Sequence, residues 1–295
     1  MMEVLKLLSG LLLVSFLPPG LSEVVEQFSE NNCVQFFLNG TTPNIPSILV
    51  DGKVNQNHYK LICQKYNNTY RFATLYDTTN RIPVFSAYKF TGTDGGKRPN
   101  QNWMIEPQLN GKENTSMKES GTVDEYNNQA GNKDYLNNIE RMSRGHLFPN
   151  GHASDNDTRK STFTLTNVVP QAESFNSGSW NTMETRVKNI MEQSCKDKYN
   201  KTEAYVVTGA VPSHNNTLNN RVNIPSLMWS AYCCKNPLSD TWISGAHWGA
   251  NKNHSNTTSL PLADLNNKLS KIYDDKNVLL FSEECLATAA ASIVG

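Results

Sequence analysis

An α+β fold is predicted by three observations. Strand-like runs with a period of two recur along most of the chain, and apolar residues fall at helical spacing in only two stretches. No internal repeat or clean linker divides the 295 residues. With 38% hydrophobic and 18% charged residues the chain can build one large core, and a single domain over residues 23–295 is the economical reading.

The first 22 residues place Lys6 ahead of an apolar run from Leu7 to Leu17, followed by Pro18-Pro19-Gly20. The run is too short to span a bilayer and ends in a helix breaker, so residues 1–22 are expected to be a cleaved signal peptide and the protein to be secreted. A mitochondrial presequence would need early arginines, and the first is Arg71. Asn-X-Ser/Thr sequons at Asn39, Asn67, Asn114, Asn156, Asn200, Asn215, Asn253 and Asn256 fit a glycoprotein and mark surface loops. The six cysteines have no CxxC or zinc-like spacing, which favours disulfides with the pairing open; Cys233 and Cys234 must reach different partners. The formal net charge is zero, so attraction to a polyanion has to come from a local patch and a metal.

Taken in order, residues 33–37, 59–63 and 70–76 read as strands separated by Asn, Gly and Pro turns, and residues 81–90 give a clear strand starting near Pro83. Residues 91–102 form a Gly- and Pro-rich loop carrying Lys97 and Arg98, and the polar, Asn-rich residues 103–139 wrap the surface. Residues 161–169 read as a strand ended by Pro170. Trp180, Met183, Val187, Ile190 and Met191 predict a helix running to about Cys195, with Asn176 and Ser179 as capping residues where it starts. Residues 204–211 form a strand closed by Pro212, residues 224–234 and 241–248 form a strand pair, and Leu262, Leu265, Leu269 and Ile272 predict a second helix. The apolar end, residues 286–294, is too short and too rich in Ala and Ser to cross a membrane.

The chemistry concentrates in residues 141–184. His146 can act as a general base near neutral pH, and Arg144 beside it can pair with phosphate. The amide oxygen of Asn176 suits a hard cation such as Mg²⁺, and Glu184 on the helix can orient one of its waters. Together they equip metal-assisted phosphodiester hydrolysis. Each has a plainer reading: a structural histidine, a helix cap, a solvated carboxylate, a surface ion pair. His152, six residues after His146, raises the thought of a zinc pair, which Pro149, Gly151 and the lack of a further nearby Cys or His disfavour. Gly-x-Ser-x-Gly is absent, leaving serine hydrolase chemistry without footing.

Ser143-Arg144-Gly145-His146, Thr166-Asn167-Val168-Val169-Pro170-Gln171 and the Asn176, Gly178, Trp180, Glu184 segment resemble the DNA/RNA non-specific endonucleases, the ββα-metal (His-Me finger) family that includes secreted bacterial nucleases and mitochondrial endonuclease G. Residues 81–88, 102–109 and 229–234 look like a vertebrate branch of that family, the endonuclease domain-containing 1 proteins, so the resemblance covers roughly residues 33–285. It implies a ββα-metal fold, cleavage of DNA and RNA with little sequence preference, and Mg²⁺ as cofactor with Mn²⁺ as a substitute. It also implies His146 as general base, Asn176 as metal ligand, Glu184 as the carboxylate behind the cation's water, and Arg144 as phosphate contact.

The sequence departs from the family pattern in three places. Ser143 stands where the box begins with Asp, removing a carboxylate that braces the motif. Gln101 stands where an Arg precedes Asn-Trp, with Arg98 the nearest replacement for substrate binding. Lys188 stands four residues after Glu184 where an Arg is expected, keeping the charge without the bidentate fork. The rival reading is a weakly active or inactive extracellular glycoprotein that uses the fold for binding. A positive face of Arg98, Arg144, Arg159, Lys160, Arg186 and Lys188 around His146 would separate the two.

Overall fold

The computed structural model describes residues 24–121, 126–136, 138–236 and 239–286; the expected signal peptide and all but the first residue of the apolar C-terminal end lie outside them. The strands are β1 (Val24–Val25), β2 (Tyr59–Tyr66), β3 (Thr69–Asp77), β4 (Ile82–Phe90), β5 (Met142–His146), β6 (Val168–Ala172), β7 (Ala204–Val211), β8 (Leu227–Asn236), β9 (Thr241–Ala250) and β10 (Thr258–Leu260), besides three short two-stranded pairs. The helices are α1 (Asn156–Ser161), α2 (Asn181–Ser194) and α3 (Leu262–Ile272). Eight strands pair antiparallel in the order β1-β2-β3-β4-β7-β8-β9-β10, and β5 and β6 make a separate two-stranded ribbon. The fold is α+β, as the residue patterns predict.

Period two along the central strands splits the core. Tyr88 and Phe90 of β4, Val206 of β7, and Met228 and Tyr232 of β8 face one layer, with Phe148, Trp180 and Met183 packed on them. Phe85, Val207, Trp229 and Ala231 face the other, against Phe28, Leu265 and Leu269. The adjacent Cys233 and Cys234 therefore point to opposite faces: Cys234 bonds Cys195 at the end of α2, and Cys233 bonds Cys285 under the other layer. Cys33–Cys63 completes the set, leaving no free cysteine. All eight sequon asparagines are exposed. Among the described residues no helix is long and apolar enough to cross a membrane.

Three expectations are corrected. Residues 30–36 form a 3-10 helix where 33–37 reads as a strand; Cys33, tied to Cys63, and Phe36 and Phe37 turn into the core without a strand partner. Residues 161–169 are not one strand: Ser161 ends α1, Leu165–Asn167 is a 3-10 turn, and the strand is Val168–Ala172 with Pro170 inside it. A proline is tolerated there because a two-stranded ribbon has an open side that needs no donor. Asn176 and Ser179 do not cap α2 either; the helix is preceded by a turn, Glu173–Phe175, and a π turn, Asn176–Trp180.

Candidate active site

The ribbon sets the first half of the site. Val168 pairs with His146, Val169 with Gly145, Pro170 with Arg144 and Gln171 with Ser143. Gly145 is required by close approach, since a Cβ there would lie 2.0 Å from the Gln171 amide oxygen. Asn167, fully buried, accepts from the Phe148 N–H at 2.9 Å and the Ser86 hydroxyl at 2.8 Å, and donates to the carbonyls of Phe148 and Thr162. This staple fixes the chain that follows His146 onto the main sheet.

His146 is 8% exposed, with its ring 5.4 Å from Trp103 and edge-on to Phe163 at 5.2 Å. Burial among these rings, with Arg98 nearby, pushes its pKa down to about 3, so the imidazole is neutral and free to accept a proton. Arg144 lies with its guanidinium 5.2 Å from the Trp103 ring and 4.8 Å from the Tyr135 ring, and donates to both oxygens of Asn132. Burial lowers its pKa while leaving it a cation.

The second half comes from the helix. The π turn, in which Gly178 leaves helical angles, presents Asn176 to the ribbon. Asn176 Nδ2 donates to Ser143 Oγ at 2.8 Å, and Ser143 Oγ in turn donates to the Gln171 carbonyl at 3.0 Å. With its N–H engaged, Asn176 keeps its amide oxygen for the cleft. Glu184, half-buried one turn into α2, has its pKa pushed up to about 8 by loss of water around the carboxyl.

His152 is not a metal ligand in this arrangement. Its Nε2 donates to the Glu184 carbonyl at 2.9 Å, so its Nδ1 accepts from the Tyr88 hydroxyl at 2.8 Å. Both nitrogens are occupied, and among the described residues no group of three or more His, Cys, Asp or Glu side chains could hold a metal. The oxygen donors that remain, the Asn176 amide and the Glu184 carboxyl, are those a hard cation prefers.

Arg98, Arg144, His146, Asn176, Glu184 and Lys188 all line one cleft of about 890 Å³. Of the other cations expected on the same face, Arg159 is buried in a bidentate pair with Asp94, Arg186 lies on another side of α2 near His247, and Lys160 does not line the cleft. Trp103 and Tyr135 also line it, although sequence reasoning gave them no site role, as does Ser143, the departure at the head of the box. The Asn102-Trp103 pair was a signal for the first; nothing marked Tyr135 in its polar, Asn-rich surroundings.

With that geometry, the sequence over residues 51–284 matches the family described as DNA/RNA non-specific endonuclease. This chain belongs to that family. Two relatives are the endonuclease domain-containing 1 proteins of Homo sapiens, 32% identical over 72% of this chain, and of Mus musculus, 30% identical over 81%. The matches cover 40% and 44% of those proteins, so the chain spans less than half the length of either. A chain in the crystal structure of the EndoG/EndoGI complex superposes with a TM-score of 0.53 at 17% identity, covering 76% of this chain and 87% of that one. The fold of this non-specific endonuclease family member is thus the ββα-metal nuclease fold, with β5, β6 and α2 as its strand–strand–helix motif.

Proposed function

We propose that this chain is a secreted nuclease that hydrolyses phosphodiester bonds in DNA and RNA with little sequence preference. The observation that carries the reading is the convergence, in one cleft, of a neutral buried imidazole, an amide oxygen and a carboxyl with three cations.

Mg²⁺, or Mn²⁺ in its place, supplies charge compensation for the phosphate and its leaving oxygen when bound. Asn176 Oδ1 would hold it directly and Glu184 through water; a single neutral side-chain donor makes for a loosely held ion recruited with the substrate. His146 takes the proton of the attacking water. Burial holds its pKa low, and a phosphate anion beside it raises the pKa by favouring the charged form. Arg98, Arg144 and Lys188 hold backbone phosphates, which are the same for every sequence and are shared by DNA and RNA.

Secretion is supported by the N-terminal apolar run, three disulfides and eight exposed sequons. The test is cleavage of supercoiled plasmid and of RNA by the purified secreted protein with Mg²⁺ and with EDTA. Cleavage of both that stops in EDTA is expected; none by the folded protein with any divalent cation would end the nuclease reading.

A further inference from the structure

One wall of the cleft is a continuous pile of rings and guanidiniums. Arg98 lies 4.7 Å from the Phe163 ring, Phe163 lies 5.2 Å from Trp103, Trp103 lies 5.2 Å from the Arg144 guanidinium, and Arg144 lies 4.8 Å from Tyr135. His146 packs against the two middle rings, Phe163 and Trp103. The pile is fixed by the backbone: Met104 N–H donates to the Phe163 carbonyl at 2.8 Å, and Ser120 N–H donates to the Trp103 carbonyl at 2.7 Å.

The two arginines differ from others in this molecule in how they are held. Arg159 is paired with Asp94, Arg71 with Asp155 and Asp157, and Arg221 with Asp134. Among the described residues no carboxylate forms an ion pair with Arg98 or Arg144; an aromatic face holds Arg98, and two aromatic faces together with the neutral oxygens of Asn132 hold Arg144. A carboxylate partner cancels a cation's field, whereas a ring quadrupole fixes the cation and leaves its charge available to an anion. The Trp103 indole has Phe163, His146 and the Arg144 guanidinium all packed against it.

We propose that Trp103 is a positioning residue, the centre of a wall that holds Arg98 and Arg144, uncancelled, as a two-point phosphate clamp on the nucleic-acid backbone at either end of the ring pair behind His146. The proposal deepens the nuclease reading and rests on it for the nature of the ligand. The clamp acts before chemistry, so it is read in binding.

The experiment measures binding of a fluorescent single-stranded phosphorothioate oligonucleotide in EDTA, over a salt series, for wild type, Trp103→Phe, Trp103→Leu and Arg98→Gln/Arg144→Gln. Trp103→Leu is expected to weaken binding about tenfold and to reduce the salt dependence by about one phosphate contact, while Trp103→Phe keeps most of both. In the Arg98→Gln/Arg144→Gln background, Trp103→Leu should add nothing, because it acts through those arginines. Where Trp103→Leu does not fold, Tyr135→Leu, on the other side of Arg144, carries the same expectation.

A folded Trp103→Leu protein with wild-type affinity and salt slope overturns the clamp. So does an equal loss in the double-Gln background, or a wild-type protein that does not bind the oligonucleotide. Wild-type binding with the expected losses, but no cleavage of plasmid in Mg²⁺, upholds the clamp and removes the hydrolytic reading alone.

Discussion

Ser143 Oγ accepts the Asn176 Nδ2 hydrogen at 2.8 Å, joining the first strand of the motif to the π turn ahead of α2. The serine hydroxyl spends its own hydrogen on the Gln171 carbonyl, so it can only accept from Asn176 and thereby turns the amide oxygen toward the cleft. A position that in sequence reads as a lost carboxylate is, in the fold, still an acceptor that orients the Asn176 amide.

Ser143→Ala should therefore weaken Mn²⁺ binding by about fivefold, the equivalent of one hydrogen bond of about 1 kcal/mol. Ser143→Asp, a stronger acceptor, should bind Mn²⁺ at least as well as wild type. Titration followed by electron paramagnetic resonance reads the free ion; equal affinity in all three proteins would show that Asn176 does not depend on Ser143.

His152 joins three elements, taking a hydrogen from Tyr88 of β4 and giving one to the Glu184 carbonyl of α2. His152→Ala removes both bonds and opens a cavity at a site 5% exposed, so a loss of about 2–4 kcal/mol in urea unfolding is expected. A change under about 0.5 kcal/mol would place the coupling of β4 to α2 elsewhere.

Stability should fall in acid. Burial holds His152 and His247 at about 4 and His146 at about 3, below the ordinary 6.5. The unfolded chain thus takes up these protons first; their contribution is complete above 6.5 and is lost as pH falls toward 4 and then 3. At pH 5 each histidine costs about 2 kcal/mol relative to pH 7. Glu184 acts oppositely, because its raised pKa makes the folded state hold a proton between 4.5 and about 8 and lowers stability as pH rises through that range. Thermal melts from pH 4 to 8 should show the acid fall, and His247→Asn should flatten it; a profile unchanged by that substitution would contradict the assignment.

The Cys195–Cys234 bridge pins the end of α2 to β8 across a sequence separation of 39. Replacing both cysteines with serine should cost about 3–4 kcal/mol and loosen the helix that carries Glu184. Hydrogen exchange along α2 is the measurement: faster exchange confined to its last turns would fit, and unchanged exchange would not.

Helix α2, the β7 and β8 strands and α3 were legible because apolar spacing encodes them directly, whereas the strand–strand–helix order came from the family resemblance. So was the need for Cys233 and Cys234 to find separate partners, which alternation along β8 explains. The ribbon's true start at Val168 was hidden by the run of β-formers in residues 161–167, which tertiary bonds to Asn167 bend into a 3-10 turn. Asn176 looked like a cap because Asn before a helix usually is one; its partner, Ser143, is 33 residues away and invisible to local pattern. The Arg98-to-Tyr135 wall was unreadable for the same reason, being assembled from four separate stretches of chain.

The proposed reaction makes His146 the base in a metal-dependent phosphodiester cleavage. The direct measurement is the single-turnover rate on a labelled DNA duplex with saturating Mg²⁺, for wild type and for His146→Ala of unchanged melting temperature. A fall of about 10²–10⁴-fold with unchanged substrate affinity is predicted; a rate within threefold of wild type would contradict it.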